Sequence, residues 1–249
     1  MGKIVAGSGG VFFENAEDPI LNHIISLVDE TRRQRGLRAV YLPTAGRDDR
    51  GNEETVKSYF KRHGFVRTDY LCLTDPDLRE EQIREIILSA SVIYSGGGDT
   101  KFLLDTWRKT HADTYLKLAY DYGVVLSGVS AGAHSLFRYA YDNTYDNGQY
   151  CMLRGLDLLP YCMCPHYEDW VKFPQDIWMQ ELDGIGVDND IALSFVDGTY
   201  EVVDSRRNPN HSAFYLPINE QFKAHDLQKE PMILHSPDGG APYIYPKYC

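Results

Sequence analysis

Short apolar runs alternate with helical patterns from the first residues onward, and this predicts an α/β chain built on a doubly wound, mostly parallel sheet with helices on both faces. Glycine-rich turns that follow several of the apolar runs directly point the same way. After about residue 185 the pattern changes to β-rich segments, which predict an antiparallel extension of the same sheet near the C-terminus. The 249 residues fit one domain over 1–249, long enough to bury a core that holds a site rigidly.

The first strand runs from Lys3 to Ala6 and leads through Gly7-Ser8-Gly9-Gly10 into a helix over 18–35, where Ile20, Leu21, Ile24, Ile25 and Leu27-Val28 recur at helical spacing. A glycine-rich turn before a helix invites a nucleotide reading. The spacing matches neither the dinucleotide fingerprint nor the P-loop, whose mechanism also needs a Lys-Ser/Thr at the helix start. Ala39 to Pro43 is the second strand, Asn52 to His63 the next helix and Val66 to Leu73 the third strand. Thr74-Asp75-Pro76-Asp77 opens a helix to about Ala90, with acidic residues in its first turns where the macrodipole favours them. Ser91 to Tyr94 is the fourth strand and runs into Gly96-Gly97-Gly98-Asp99-Thr100. Helices follow around Phe102 to Trp107 and over 112–122, and Gly123 to Ser127 is the fifth strand. A helix is expected over Ala131 to Tyr139 and a further strand in the run Leu156 to Cys164. Asp190 to Phe195 and Thr199 to Val203, punctuated by Asp197-Gly198, make the antiparallel extension.

A formal net charge of −11 without a basic run argues against nucleic acid or an anionic membrane surface as the partner. No apolar run approaches the roughly 18 residues of a membrane helix, and the first residues lack a hydrophobic signal region, so a cytoplasmic location and a small-molecule or peptide substrate are expected. The five cysteines, Cys72, Cys151, Cys162, Cys164 and Cys249, are too sparse for a disulfide framework and read as reduced thiols. On a strand, Cys162 and Cys164 would point to one packed face. No metal site or cofactor is expected, since no ligand spacing such as His-Glu-x-x-His is present.

Gly128-Val129-Ser130-Ala131-Gly132 follows the fifth strand and fits the pattern Gly-x-Ser-x-Gly in the strand-turn-helix context that a nucleophile elbow requires. A serine on so tight a turn is strained, and the flanking glycines keep other side chains out of its way. The turn would aim Oγ at solvent and leave the Ala131 N–H at a helix N-terminus, ready to donate to a developing oxyanion. Gly96-Gly97-Gly98 ends the neighbouring strand on the same carboxyl edge, where open α/β sheets place ligands, so its backbone amides could approach a substrate carbonyl without an intervening Cβ. Asp99-Thr100 reads as a helix cap.

A serine hydroxyl needs a base. Among the eight histidines, His134 lies four residues past Ser130 on the same expected helix and would face sideways. His23, His63 and His111 fall on surface helices, and His211, His225 and His235 in the late β-rich region. His166, in Cys164-Pro165-His166-Tyr167, ends a candidate strand and so returns to the carboxyl edge.

Gly96-Gly97-Gly98-Asp99-Thr100, Gly128-Val129-Ser130-Ala131-Gly132-Ala133, the Gly155 to Leu159 run and Pro165-His166-Tyr167 resemble, in order and spacing, the peptidase E (aspartyl dipeptidase) family of serine peptidases over roughly residues 35 to 205. The resemblance implies a class I glutamine amidotransferase-like fold, Ser130 as nucleophile, His166 as general base, and Gly97 and Ala131 at the oxyanion. It also implies an acidic residue between nucleophile and histidine. Tyr141-Asp142-Asn143-Thr144-Tyr145-Asp146 offers two, of which Asp142 is preferred; a second acidic position that the resemblance implies, downstream of the histidine in Ser194-Phe195-Val196-Asp197-Gly198, makes Asp197 the reserve. The family's arginine that holds an aspartyl substrate has no counterpart, because no arginine falls between Arg154 and Arg206. Lys172 could attract a carboxylate as a point charge beside Gly98 on the substrate, though not as a bidentate clamp. Hydrolysis of short peptides is therefore expected without a defined side-chain preference. A cyanophycinase-like or other amide hydrolase, and a non-catalytic binding protein on the same fold, are the competing readings. Whether the chain works as a monomer or homodimer stays open.

Overall fold

The structure is a computed structural model that describes residues 2–10, 13–143, 150–205, 208–234 and 244–246. The chain runs β1 (Lys3–Gly7), α1 (Pro19–Ser26), α2 (Glu30–Gln34), β2 (Leu37–Leu42), α3 (Glu53–Arg62), β3 (Phe65–Tyr70), α4 (Glu80–Ser89), β4 (Val92–Ser95), α5 (Thr100–Lys109), α6 (Ala112–Asp121), β5 (Val125–Val129) and α7 (Ala131–His134). It continues with β6 (Phe137–Asp142), β7 (Cys151–Arg154), β8 (Leu159–Pro165), α8 (Phe173–Met179), β9 (Gly184–Val187), β10 (Ile191–Val196), β11 (Thr199–Asp204), β12 (Ala213–Leu216), β13 (His225–Asp226) and β14 (Tyr245–Pro246). No helix among the described residues is long and apolar enough to cross a membrane.

The main sheet has the order β14-β11-β10-β1-β5-β4-β2-β3. From β1 to β3 every pairing is parallel, while β10 adds to β1 antiparallel and β11 to β10 likewise, as the alternating segments after residue 185 predict. Strand alternation sends Ile4, Val40, Ile93 and Leu126 to one face, where α4, α5 and α6 cover them with Ile87, Leu104, Trp107 and Leu116. Val5, Ala39, Val92 and Val125 go to the other face, under Ile20, Leu21 and Ile24 of α1 and Val56, Tyr59 and Phe60 of α3. Local chemistry starts these helices where they are needed. Asp18 accepts from the amides of Ile20 and Leu21, with Pro19 at the first helical position, and Asp99 accepts from the Phe102 amide.

A second sheet, β13-β12-β9-β8-β6-β7, stands where the sequence predicts only an extension of the first. The helix expected over Ala131 to Tyr139 ends at His134, and Phe137-Arg138-Tyr139-Ala140-Tyr141-Asp142 forms strand β6 instead. Aromatic residues with period-two alternation favour a half-buried strand, and pairing with β7 and β8 overrides the helical reading of a four-residue start. The inward face of this sheet, with Phe137, Tyr161, Met163, Ile185 and Tyr215, joins the core of the main sheet. The outward face, with Cys162 and Cys164, packs under Phe173 and Ile177 of α8, so both thiols are buried and burial raises their pKa values. Because β8 runs parallel to β6 and β9, its last residue delivers the chain to the same edge as the ends of β1, β4 and β5.

Candidate active site

Ser130 follows β5 at φ 51° and ψ −118°, in the left-handed half of backbone space that a side chain rarely adopts. Its amide donates to the Gly7 carbonyl at 3.1 Å, and its carbonyl accepts from the amides of Ala133 and His134. The glycines of the elbow have a definite steric cause. A Cβ on Gly132 would stand 2.3 Å from the Ser95 carbonyl oxygen, and one on Gly128 would stand 2.6 Å from the Gly132 backbone, so α7 can rest on the end of β4 only without side chains there. His166, after β8, is also left-handed at φ 53°. Each such residue costs about 1–3 kcal/mol, which full burial of a single large apolar side chain roughly offsets.

The two side chains meet. His166 Nε2 lies 3.1 Å from Ser130 Oγ, and both residues are half-buried. The imidazole is held from two other sides. Its backbone amide donates to Ser8 Oγ at 2.5 Å, and Nδ1 lies 2.7 Å from Asn189 Oδ1. The Asn189 Nδ2 donates to Glu168, and the Asn189 amide donates to both Glu168 carboxylate oxygens at 3.1 Å. These bonds fix the proton positions. Asn189 spends its NH2 on Glu168 and presents its oxygen to the ring, so the proton of a neutral imidazole sits on Nδ1 and Nε2 is left to accept from the serine hydroxyl. Asp188, buried behind Asn189, accepts from the Ser212 amide at 3.0 Å. Burial, with the Glu168 carboxylate nearby, pushes its pKa up to about 6.

The expected oxyanion residues lie beside the serine. A Cβ on Gly97 would fall 3.2 Å from Ser130 Cβ and 3.8 Å from its Oγ, so this backbone lies directly against the nucleophile candidate. Ala131 opens α7 immediately after it. Among the described residues no backbone carbonyl accepts from the Gly97 or Ala131 N–H, leaving both amides available to a substrate oxygen. Gly98, expected on the substrate, serves a close backbone approach. At φ +140° its Cβ would meet the Ala45 carbonyl oxygen at 2.3 Å.

Other expected residues fall elsewhere. Asp142 does not touch Nδ1 of His166: it accepts from Thr100 Oγ1 and lies 3.8 Å from His134 Nε2, in a buried group on the inner side of β6. Asp146 lies outside the described residues, as do Cys249 and His235. Asp197 sits in the β10–β11 turn beside Gly2 and Tyr120, at the start of β1, a strand length or roughly 16 Å from the elbow. Lys172 precedes α8 on the outward face of the second sheet, with its ammonium 5.7 Å from the centre of the Tyr150 ring. It lines a cleft of about 600 Å³ with Tyr141, Met152, Asp176 and Gln180, and neither Ser130 nor His166 is among the described residues lining it. The residue that sequence reasoning missed is Asn189. Asp188-Asn189-Asp190 reads as plain turn chemistry, and the Gly-rich segment after β1 gives one clue in space only: a Cβ on Gly9 would stand 2.1 Å from Asn189 Oδ1. Among the described residues no group of three or more His, Cys, Asp or Glu is arranged to hold a metal ion.

A parallel sheet with a bent serine after its central strand, an imidazole in reach and free amides alongside is the scaffold of a serine-type peptidase, and the comparisons with known proteins agree. The chain belongs to peptidase family S51, whose description matches residues 4–203. It is 30% identical over 217 residues to the uncharacterized peptidase YgaJ of Bacillus subtilis (strain 168), covering 83% of this chain and 89% of that protein. A crystal structure of a peptidase from an acI-B1 actinobacterium superposes with a TM-score of 0.64 at 22% identity, covering 88% of this chain and 91% of that one. A putative peptidase E protein from Listeria monocytogenes EGD-e gives a TM-score of 0.61 at 20% identity, covering 82% and 98%. At these identities the two structures speak to the fold alone.

Proposed function

We propose that this chain is a serine peptidase that hydrolyses short peptides through an acyl-enzyme on Ser130, with His166 as general base and Asn189 as the residue that orients it. The observation that carries the proposal is the 3.1 Å contact between Ser130 Oγ and the His166 nitrogen that the Asn189 bond leaves unprotonated. Oγ attacks the scissile carbonyl while its proton passes to Nε2. The carbonyl oxygen becomes an oxyanion and takes hydrogen bonds from the Gly97 and Ala131 amides. Collapse expels the amine, which leaves with the proton from Nε2. Water then attacks the acyl-enzyme, giving a proton to Nε2, and the second tetrahedral species releases the acid and returns the proton to Ser130. Asn189 is neutral, so the countercharge to the imidazolium comes from Glu168 one bond further on. The absence of an arginine in residues 155–205 leaves aspartyl preference out of the proposal.

A fluorophosphonate label and a dipeptide panel test this reading. The folded protein should form an adduct at Ser130 and cleave members of the panel, and Ser130→Ala and His166→Ala should lose both, by about 10⁴-fold or more. An unlabelled Ser130 in folded protein would overturn the nucleophile. Labelling without cleavage of any dipeptide would instead redirect the substrate to another amide.

A further inference from the structure

One buried group is left unused by this mechanism. Thr100, His134 and Asp142 are 1%, 3% and 4% exposed and belong to three separate elements, the start of α5, the end of α7 and the end of β6. Thr100 Oγ1 donates to Asp142 and lies 2.8 Å from His134 Nε2. A hydroxyl has one hydrogen, and with that hydrogen on Asp142 its lone pair accepts from the Nε2–H of His134. The three side chains are therefore joined in sequence, imidazole to hydroxyl to carboxylate, in a place that water does not reach.

What this group holds together is informative. Thr100 is three residues past Gly97, and Asp99 between them is bonded on two sides: it caps α5 through the Phe102 amide at 2.8 Å and donates its own amide to Ala45 at 2.8 Å. His134 is three residues past Ala131, within the single turn of α7. The bond between Thr100 and His134 thus spans the two segments that carry the amides facing Ser130, and Asp142 anchors that bond to the second sheet, whose strand β8 delivers His166. We propose that Thr100, His134 and Asp142 are positioning residues that fix the separation of the Gly97 and Ala131 amides, and that they act through the backbone, away from substrate. The inference rests on the hydrolytic reading above for its kinetic consequence but not for its structural one.

The test compares Thr100→Val, which keeps the shape and removes the hydroxyl, with Thr100→Ser, which keeps the hydroxyl. Amide hydrogen exchange reads the clamp without any activity. Thr100→Val should speed exchange of the residues that follow Gly97 and Ser130 while amides in β2 and β3 stay as in the wild type, and Thr100→Ser should restore protection. With a cleaved dipeptide, Thr100→Val should lower kcat by about 10- to 100-fold, the range expected when an oxyanion donor is misplaced. KM should stay within about twofold and the pH profile should keep its wild-type position, because His166 and Asn189 are untouched. Unchanged exchange at both segments, or a kcat loss that comes with a shifted pH profile, would overturn the clamp. If Thr100→Val does not fold, Asp142→Asn, which retains an acceptor for Thr100, carries the same comparison with a smaller loss. A protein that shows the exchange effect but never labels at Ser130 would keep the clamp and reject the peptidase reading.

Discussion

Two hydroxyl–imidazole pairs stand near one edge of the main sheet, Ser130 with His166 and Thr100 with His134, and their contact distances are 3.1 and 2.8 Å. Distance alone does not tell them apart. The pairs differ in what the remaining atoms are bound to. At the edge, Nδ1 is committed to Asn189 and the hydroxyl hydrogen is offered to Nε2, and both residues are half-buried. In the interior, the Thr100 hydrogen is committed to Asp142, and burial holds the His134 pKa down to about 4 against the opposing pull of Asp142, so this ring is a poor base at neutral pH. On the proposed reading, what makes Ser130 a nucleophile is the third partner of its imidazole and its partial exposure, and the same two functional groups become a structural tie when those change.

The largest expected effect tests that third partner. Asn189→Ala removes the acceptor at Nδ1 and frees the ring to take the wrong tautomer, and kcat should fall by about 10²- to 10³-fold with folding intact. Peptide cleavage and fluorophosphonate labelling rates measure it, and a wild-type rate would show that Asn189 does not orient the base. A smaller effect comes from Gly9→Ala. Its new Cβ would occupy the space of Asn189 Oδ1, whose amide can swing aside, so the variant should fold and lose about tenfold in kcat. Loss of folding instead would place the strain in the backbone. The smallest effect concerns the buried pair and is read as stability. His134 in the unfolded chain binds a proton near its ordinary 6.5, whereas burial lowers the folded value to about 4. The unfolded state holds more protons in that window, so this contribution is complete above about pH 6.5 and is lost as pH falls toward 4. His134→Gln should therefore lose less stability than wild type between pH 7 and pH 4, by about 1 to 3 kcal/mol, in urea titrations at the two pH values. Equal losses would mean that His134 is not the group that titrates.

Legibility in the sequence followed the range of the interaction. The Ser130 elbow is local, since its glycines answer to backbone contacts within a few residues and to the end of β4, and it can be read from Gly-x-Ser-x-Gly after an apolar run. His166 was legible because a strand end announces the carboxyl edge. The parallel core and the β10–β11 extension were legible because each apolar run is bounded by turn chemistry. Asn189 was not, for the role proposed for it depends on the parallel register of β8 with β9, which places the residues after both strands side by side. Asp142 has the expected spacing, but spacing in sequence does not fix the direction of a carboxylate, and strand alternation turns this one toward Thr100. The second sheet is hidden in the sequence because Phe137 to Asp142 follows the end of α7 after two residues, too closely for the helical pattern to show where it stops.

The bond from the His166 amide to Ser8 and the hold of Asn189 on the ring together tie residue 166 to the eighth and to the 189th positions of the chain. A polypeptide still being synthesised carries Ser130, and then His166, before Asn189, the residue proposed to orient the ring, has emerged. On the proposed reading, alignment of the pair waits until β1 and the segment after β9 have closed on one another, and a chain cut short before Asn189 would hold the serine and the imidazole without it.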